Sequence, residues 1–286
     1  MILVADAGGT STKWGLVRSA SGDWEIFATS PINVSIMSES DIITSLRQCE
    51  EKLAADDAEG NHALYFYAAG LNSEKTLKKL EQCIAQDEFL IKFSFRCSSD
   101  LEGAAFALFG SEPGIACILG TGSASGFYAG EKIAKSVPSL GYILGDEGSG
   151  AAMGKMLLNR YFKGGLSVAV SRQFKEFCPL EVPEVIENVY RRPGANTFLA
   201  SMVPFLKTHE SESEIAEIIE ECLKLFFEIN VLKYNRESCK RIGFSGGVAN
   251  AFRDRLEALS HSYGFEKIVF TDSPINEICR RLRNEM

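Results

Sequence analysis

Residues 1 to 15, MILVADAGGTSTKWG, run an apolar strand into an aspartate, a Gly-Gly-Thr turn and a second short strand. A carboxylate, Asp6, beside a turn of small residues with outward-pointing backbone N–H groups is what a protein needs to hold a metal-bound polyphosphate. The layout of ILVADAGGTSTKWGLV at 2 to 17 returns about 110 positions later as GIACILGTGSASGFYA at 114 to 129. The repeat predicts two lobes, each opening with a phosphate-gripping hairpin. Asp100 stands between the hairpins, after strand-like FSFRCSS and before LEGAAFALF, an expected helix. That junction suits either helix N-capping or a carboxylate held out for proton transfer.

The elements between the hairpins read as an α/β lobe. Helical periodicity covers about Asp41 to Ala55 and Ser73 to Ala85, Ala63 to Ala69 reads as a strand, and Phe89 to Ser94 is strand-like. The second half is more helical, with apolar three- and four-residue spacing over Ala151 to Tyr161, Val168 to Phe177, Glu184 to Tyr190, Phe198 to Leu206 and Glu214 to Tyr234. Arg241 to Ser245 then reads as a strand, Gly246-Gly247 as a turn, Val248 to Tyr263 as a helix, Lys267 to Phe270 as a strand, and the tail from Pro274 as a last helix.

Composition narrows the partners. The 286 residues are 45% hydrophobic and 24% charged, enough for a sizeable core in two lobes. A net charge of −8 without a basic cluster argues against nucleic acid or an anionic membrane and for a small-molecule substrate. The first apolar run is too short for a signal-peptide core, and no window approaches the ~18 apolar residues of a membrane span, so a cytoplasmic location is expected. The eight cysteines are scattered, with no CxxC pair and no zinc spacing, and read as reduced thiols packed in the core. A homodimer contact is expected, if formed, on the outer face of Glu214 to Tyr234 or within Val168 to Pro193.

Two familiar glycine motifs fail here. Gly8, Gly9 and Lys13 do not fit G-x-x-x-x-G-K-[ST], and strand rather than helix follows. Gly120 to Gly126 approaches the dinucleotide fingerprint, but its last glycine comes one residue late and FYAG follows.

Five ordered segments resemble the actin-like ATPase superfamily, and within it the N-acetylglucosamine kinase and BadF/BadG ATPase group: DAGGTSTK at 6 to 13, SSDLEGAA at 98 to 105, ILGTGSASG at 118 to 126, LGYILGDEGSG at 140 to 150 and FSGGVAN at 244 to 250. The resemblance implies two ribonuclease-H-like lobes with a cleft between them for ATP and substrate. Their expected extents are 1–103 with the C-terminal helix at about 273–286, and 104–272. It further implies that Asp6 holds Mg²⁺, that Gly8, Gly9, Thr10 and Lys13 form the first phosphate loop and Gly120, Thr121 and Gly122 the second, and that Gly246 and Gly247 meet the adenosine. Asp100 would be the catalytic base, with Asn33, Ser123 and Asp146 binding an amino sugar. The implied activity is ATP-dependent phosphorylation of that sugar, N-acetylglucosamine first, at its 6-hydroxyl. Two alternatives stay open: a BadF/BadG-type ATPase activator, for which Cys97 and Cys117 are the nearest cluster ligands by position, and a non-catalytic sugar- or nucleotide-binding regulator. For the carboxylate pair Asp146-Glu147 before a helix, simple complementarity to the helix dipole also remains open.

Overall fold

The structure, a computed structural model, describes residues 1–8, 11–18, 22–53, 62–71, 73–234 and 239–285. Gly9 and Thr10 of the first turn, and the end of the first expected helix past Leu53, lie outside the described residues. The chain divides into two compact units, Met1–Glu112 with Gly130–Lys132 and Ser273–Met286, and Pro113–Ala129 with Ile133–Asp272.

In the first unit, β1 (Ile2–Ala7), β2 (Thr12–Val17) and β3 (Trp24–Thr29) form an antiparallel meander. Then follow α1 (Glu39–Leu53), β4 (Ala63–Ala68), α2 (Glu74–Ala85), β5 (Ser94–Ser99) and α3 (Asp100–Phe109). The sheet order is β3-β2-β1-β4-β5, with β4 parallel to both β1 and β5. This is the ribonuclease-H-like arrangement. Apolar residues four apart on α1 (Ile42, Leu46) and the Leu80, Cys83, Ile84 patch of α2 bury against Leu3, Leu64 and Phe66 of the sheet. Ser73 and Thr76 close a reciprocal capping box that starts α2.

Phe89 to Ser94 is not a strand. Buried Asp87 accepts the N–H groups of Phe89 (3.1 Å) and Leu90 (2.8 Å) at Oδ1, which curls the chain into a 3₁₀ turn over Leu90–Lys92, and the strand begins only at Ser94. The lobe boundary expected at residue 103 would cut α3. The first unit instead keeps that helix whole and runs on to Glu112.

The second unit repeats the plan. It begins with the meander β6 (Gly114–Leu119), β7 (Ser123–Tyr128) and β8 (Ile133–Val137). A helical stretch follows: α4 (Gly141–Leu144), α5 (Gly150–Phe162), α6 (Val168–Phe177), α7 (Val182–Tyr190), α8 (Ala195–Ala200), α9 (Val203–Thr208) and α10 (Ser213–Ile229). It closes with β9 (Arg241–Ser245), α11 (Gly247–Ala251), α12 (Arg253–Ser262) and β10 (Lys267–Thr271), in a sheet of order β10-β9-β6-β7-β8. Cys117, Leu119, Phe226, Phe227 and Phe244 sit in its core.

Three expected helices are shorter than their periodicity suggests. Phe198 to Leu206 divides into α8 and α9, with Pro204 in the first turn of α9, and Val248 to Tyr263 breaks at buried Phe252, which has φ −117 and ψ 33. Glu214 to Tyr234 stops as α10 at Ile229 and continues as a 3₁₀ turn over Val231–Lys233.

The last helix, α13 (Pro274–Asn284), belongs to the first unit. Its Ile275, Ile278, Cys279 and Leu282 bury against Val4, Val17 and Ala107. Arg281 donates from Nε to the Ala107 carbonyl (3.1 Å) and from Nη2 to the Leu108 carbonyl (3.4 Å), meeting acceptors that the end of α3 leaves open.

Close helix packing in the second unit depends on Gly154 of α5. A Cβ there would run into the Leu199 carbonyl of α8, with its carbon 2.7 Å away. Gly154→Ala is therefore expected to cost about 1–3 kcal/mol despite the better helix propensity of alanine. Urea unfolding checks this: the midpoint should fall, and an unchanged or raised midpoint would show that the α5–α8 contact yields easily.

Candidate active site

Parallel pairing fixes where the first unit's acidic residues lie. Asp6 of β1 is in register with Tyr67 of β4, and Tyr67 with Ser98 of β5, so Asp6 and Asp100 stand at the same carboxyl edge of the sheet. This is the edge where open α/β sheets bind ligands. Ala69 N–H donates to the Ala7 carbonyl (3.2 Å), tying the ends of β1 and β4 together there.

Asp100 does not cap its helix. Ser99 is the N-cap of α3, its hydroxyl accepting the Glu102 N–H at 3.2 Å. Asp100 is left at the first helical position, where its Oδ1 accepts the N–H of Leu101 at 2.9 Å. Burial pushes its carboxyl above the ordinary range, against the opposing effect of backbone N–H donors. Asp6 is pushed up to about 6, first by burial and then by the nearby charge of Asp100, while Lys13 acts in the lowering direction. Lys13 is the cross-strand partner of Asp6 on β2.

Gly8 N–H donates to the Ser11 carbonyl (3.1 Å), closing the first turn on either side of Gly9 and Thr10. Asn33 reaches the same edge: a Cβ on Gly70, which follows β4, would lie 3.3 Å from Asn33 Oδ1. That oxygen already accepts the Ser35 N–H at 3.1 Å, an Asx turn, so the structure gives Asn33 a turn-forming duty alongside the expected sugar contact.

In the second unit the GTGS and GDEGSG motifs, read separately in the sequence, form one structure. Gly150 and Ala151, at the start of α5, donate their N–H groups to the carbonyls of Gly120 (2.8 Å) and Thr121 (3.1 Å), and Ser149 caps the helix by accepting the Ala152 N–H. The helix start thus anchors the glycine loop and has little left to offer the Asp146-Glu147 pair as dipole partner. Asp146 turns back to the loop: its Oδ1 accepts the Ser123 N–H at 3.3 Å, and a Cβ on Gly122 would sit 3.0 Å from its Oδ2. Asp146 has φ 57, the sole positive φ outside glycine among the described residues, a strain of the kind stored at functional sites. Burial raises its carboxyl and Glu147 adds to this, while the Ser123 N–H and Lys155 lower it.

Gly246, at φ 106, packs on the same loop: a Cβ there would meet the Leu119 carbonyl carbon at 2.8 Å and the Gly120 nitrogen at 3.2 Å. Gly120 and Gly247, by contrast, face open space where a ligand can approach the backbone. Three residues here escaped the sequence reading. Asn250 donates its N–H to Gly246 O, and its buried Oδ1 has no partner among the described residues. Asn230 donates to Glu147 (3.2 Å) and so holds the GDEGSG loop from outside, while Lys155 donates to the Tyr142 carbonyl (3.2 Å) of α4, just before that loop. Of these, Asn250 alone carried a sequence signal, as the last residue of FSGGVAN.

Among solved structures, this chain is 33% identical to the putative N-acetylglucosamine kinase of Porphyromonas gingivalis, over 99% of each chain and with a TM-score of 0.91. The chain belongs to the N-acetylglucosamine kinase and BadF/BadG ATPase family. Its two-lobed α/β fold is that of the family's actin-like ATPase superfamily. The putative N-acetylglucosamine kinase of Chromobacterium violaceum shares that fold at 18% identity, covering 99% of this chain and 98% of its own, with a TM-score of 0.76. So does a ROK-family transcriptional regulator homologous to the E. coli MLC protein, at 12% identity over 99% of this chain and 78% of its own, with a TM-score of 0.56. No family model matches the chain, and no curated protein matches it.

A half-buried carboxylate with a raised pKa leaves a mark on stability. Because the folded chain holds the Asp6 proton up to about pH 6 and the unfolded chain releases it near pH 3.8, the stability contributed by this group is full below pH 4 and is lost as pH rises to about 6. The loss is on the order of 3 kcal/mol. Asp6→Asn should therefore stabilise the ligand-free protein more at pH 7.5 than at pH 4. Denaturant unfolding at the two pH values is the check, and an equal effect at both would contradict the burial of this charge.

Proposed function

We propose that this chain is an ATP-dependent kinase of an amino sugar, most naturally N-acetylglucosamine, with Asp100 as the catalytic base. The observation that carries the reading is Asp100 itself: a half-buried, proton-attracting carboxylate, relieved of capping by Ser99, at the carboxyl edge of the sheet beside Asp6, in a chain 33% identical along its whole length to a protein described as a putative N-acetylglucosamine kinase.

A base works best when its pKa approaches the operating pH, and burial moves Asp100 in that direction. Asp100 would take the proton of the sugar's 6-hydroxyl as that oxygen attacks the γ-phosphorus of ATP. The bond from phosphorus to the bridging oxygen then breaks and ADP leaves. The Gly8, Gly120 and Ser123 N–H groups are taken by Ser11 O, Gly122 O and Asp146 Oδ1, which leaves the N–H groups of Thr121 and Gly122 to suit the phosphate oxygens, and Lys13 supplies a positive charge close to Asp6. The open faces of Gly120 and Gly247 leave room for the nucleotide.

The donor set suits Mg²⁺. Two half-buried carboxylates share one edge with Lys13 as the nearby positive charge, and among the described residues no three acidic, histidine or cysteine side chains form a cage. Magnesium is commonly held in this way, by one or two carboxylates with water and substrate phosphates. Asp6 would hold it, and the ion would neutralise charge on the phosphates.

Asp146 and Asn33 are the proposed sugar ligands, their carboxylate and amide matching sugar hydroxyls. The activator alternative draws no support from its cysteines. Cys117 is fully buried and Cys97 is pushed up to about 12 by burial, the opposite of thiolates presented for cluster ligation.

A panel of sugars with ATP tests the reading. N-acetylglucosamine should accelerate ATP consumption and yield the 6-phosphate, and a panel of amino sugars that leaves the rate unchanged would overturn it. Asp146→Asn keeps an acceptor for Ser123 and removes the charge, so the KM for sugar should rise about tenfold with that for ATP near its starting value. A change confined to ATP would move Asp146 to the phosphate side.

A further inference from the structure

A cavity of about 430 Å³ opens in the second unit among α4, α5, α7 and α8. Its walls include Ile143, Phe162, Val182 and Ile186, with Lys155 and Lys163 as its charged residues. The size falls within the range of small-molecule sites, roughly 300–1,000 Å³. We propose that it binds an amphipathic carboxylate, a medium-length acyl chain with one negative end.

α4 and α7 leave large apolar side chains unburied beside the cavity. None of the α4 side chains is buried and α7 buries only Val185, leaving Ile143 72%, Val182 51% and Ile186 42% exposed. Val182 and Ile186 are held in place rather than frayed: α7 starts with the Glu184 carboxylate accepting the Glu181 N–H at 2.8 Å and with a proline in its first turn. Large apolar groups gathered around a concavity on a rigid helix gain free energy only when something apolar covers them.

Charge selects the occupant. In a chain of net charge −8, the lining holds two lysines and no aspartate or glutamate. Among the described residues neither lysine is in an ion pair. Lys155 Nζ donates to the Tyr142 carbonyl, which keeps its ammonium group beside the cavity. An apolar chain ending in one carboxylate satisfies both features. A second copy of this protein does so poorly, since a two-fold contact would enclose four ammonium groups with no carboxylate from the lining to pair them.

Calorimetry on the full chain with decanoate and decan-1-ol tests the site. Decanoate should bind saturably, one per chain, and at least about tenfold more tightly than the alcohol. Lys163→Glu should erase that preference, and Ile186→Asp should remove binding of both without moving the urea midpoint. Equal affinity for acid and alcohol, decanoate binding that survives Ile186→Asp, or no saturable binding would each overturn the proposal. So would sedimentation showing a dimer that Ile186→Asp dissociates, which would assign the face to a second copy. Sugar phosphorylation does not enter these readouts, so the kinase assignment and this one fail separately.

Discussion

Two half-buried carboxylates at one edge of one sheet are the condition around which the first unit is organised. Burial raises both carboxyls above free aspartate, and at Asp6 the nearby charge of Asp100 adds to it. The fold tolerates this because neither group is free to move away. Asp6 is in a central strand paired on both sides, and Asp100 begins a helix capped by Ser99 at one end and by Arg281 at the other. The C-terminal helix, remote in sequence, thus packs on the element that carries the proposed base.

The second unit reaches rigidity by another route, tying loops to one another. The Gly120 and Thr121 carbonyls are taken by the start of α5, Gly246 is pressed against Leu119 and Gly120, and Asp146 is held in a left-handed conformation with its carboxylate on the Ser123 N–H. Three segments far apart in the chain become one surface whose polar groups are set before any ligand arrives. Preorganisation of this kind is what stabilising a loose, anionic transition state requires.

Much of this was legible in the residues, and the misses have physical reasons. Glycine turns between apolar strands are written locally, so the two hairpins, the Gly246-Gly247 turn and the alternation of strand and helix could be read directly. The strands β3 and β8 could not, because none of their residues is buried and they show no apolar alternation. Ser99 and Asp100 are adjacent residues that can both cap, and only the folded backbone decides between them. The positive φ of Asp146 and its bond to Ser123 depend on a loop 23 residues away, beyond any local pattern. The break at Phe252 has the same origin, since burial of that ring outweighs helical periodicity.

The proposed phosphoryl transfer depends on the proton-accepting role of Asp100. The most direct measurement is the turnover of Asp100→Asn alongside calorimetric binding of sugar and nucleotide to the same protein. Loss of about 10²–10⁴ in kcat, with both affinities kept within a few fold, is the predicted result. Near-normal turnover with both ligands bound would contradict it.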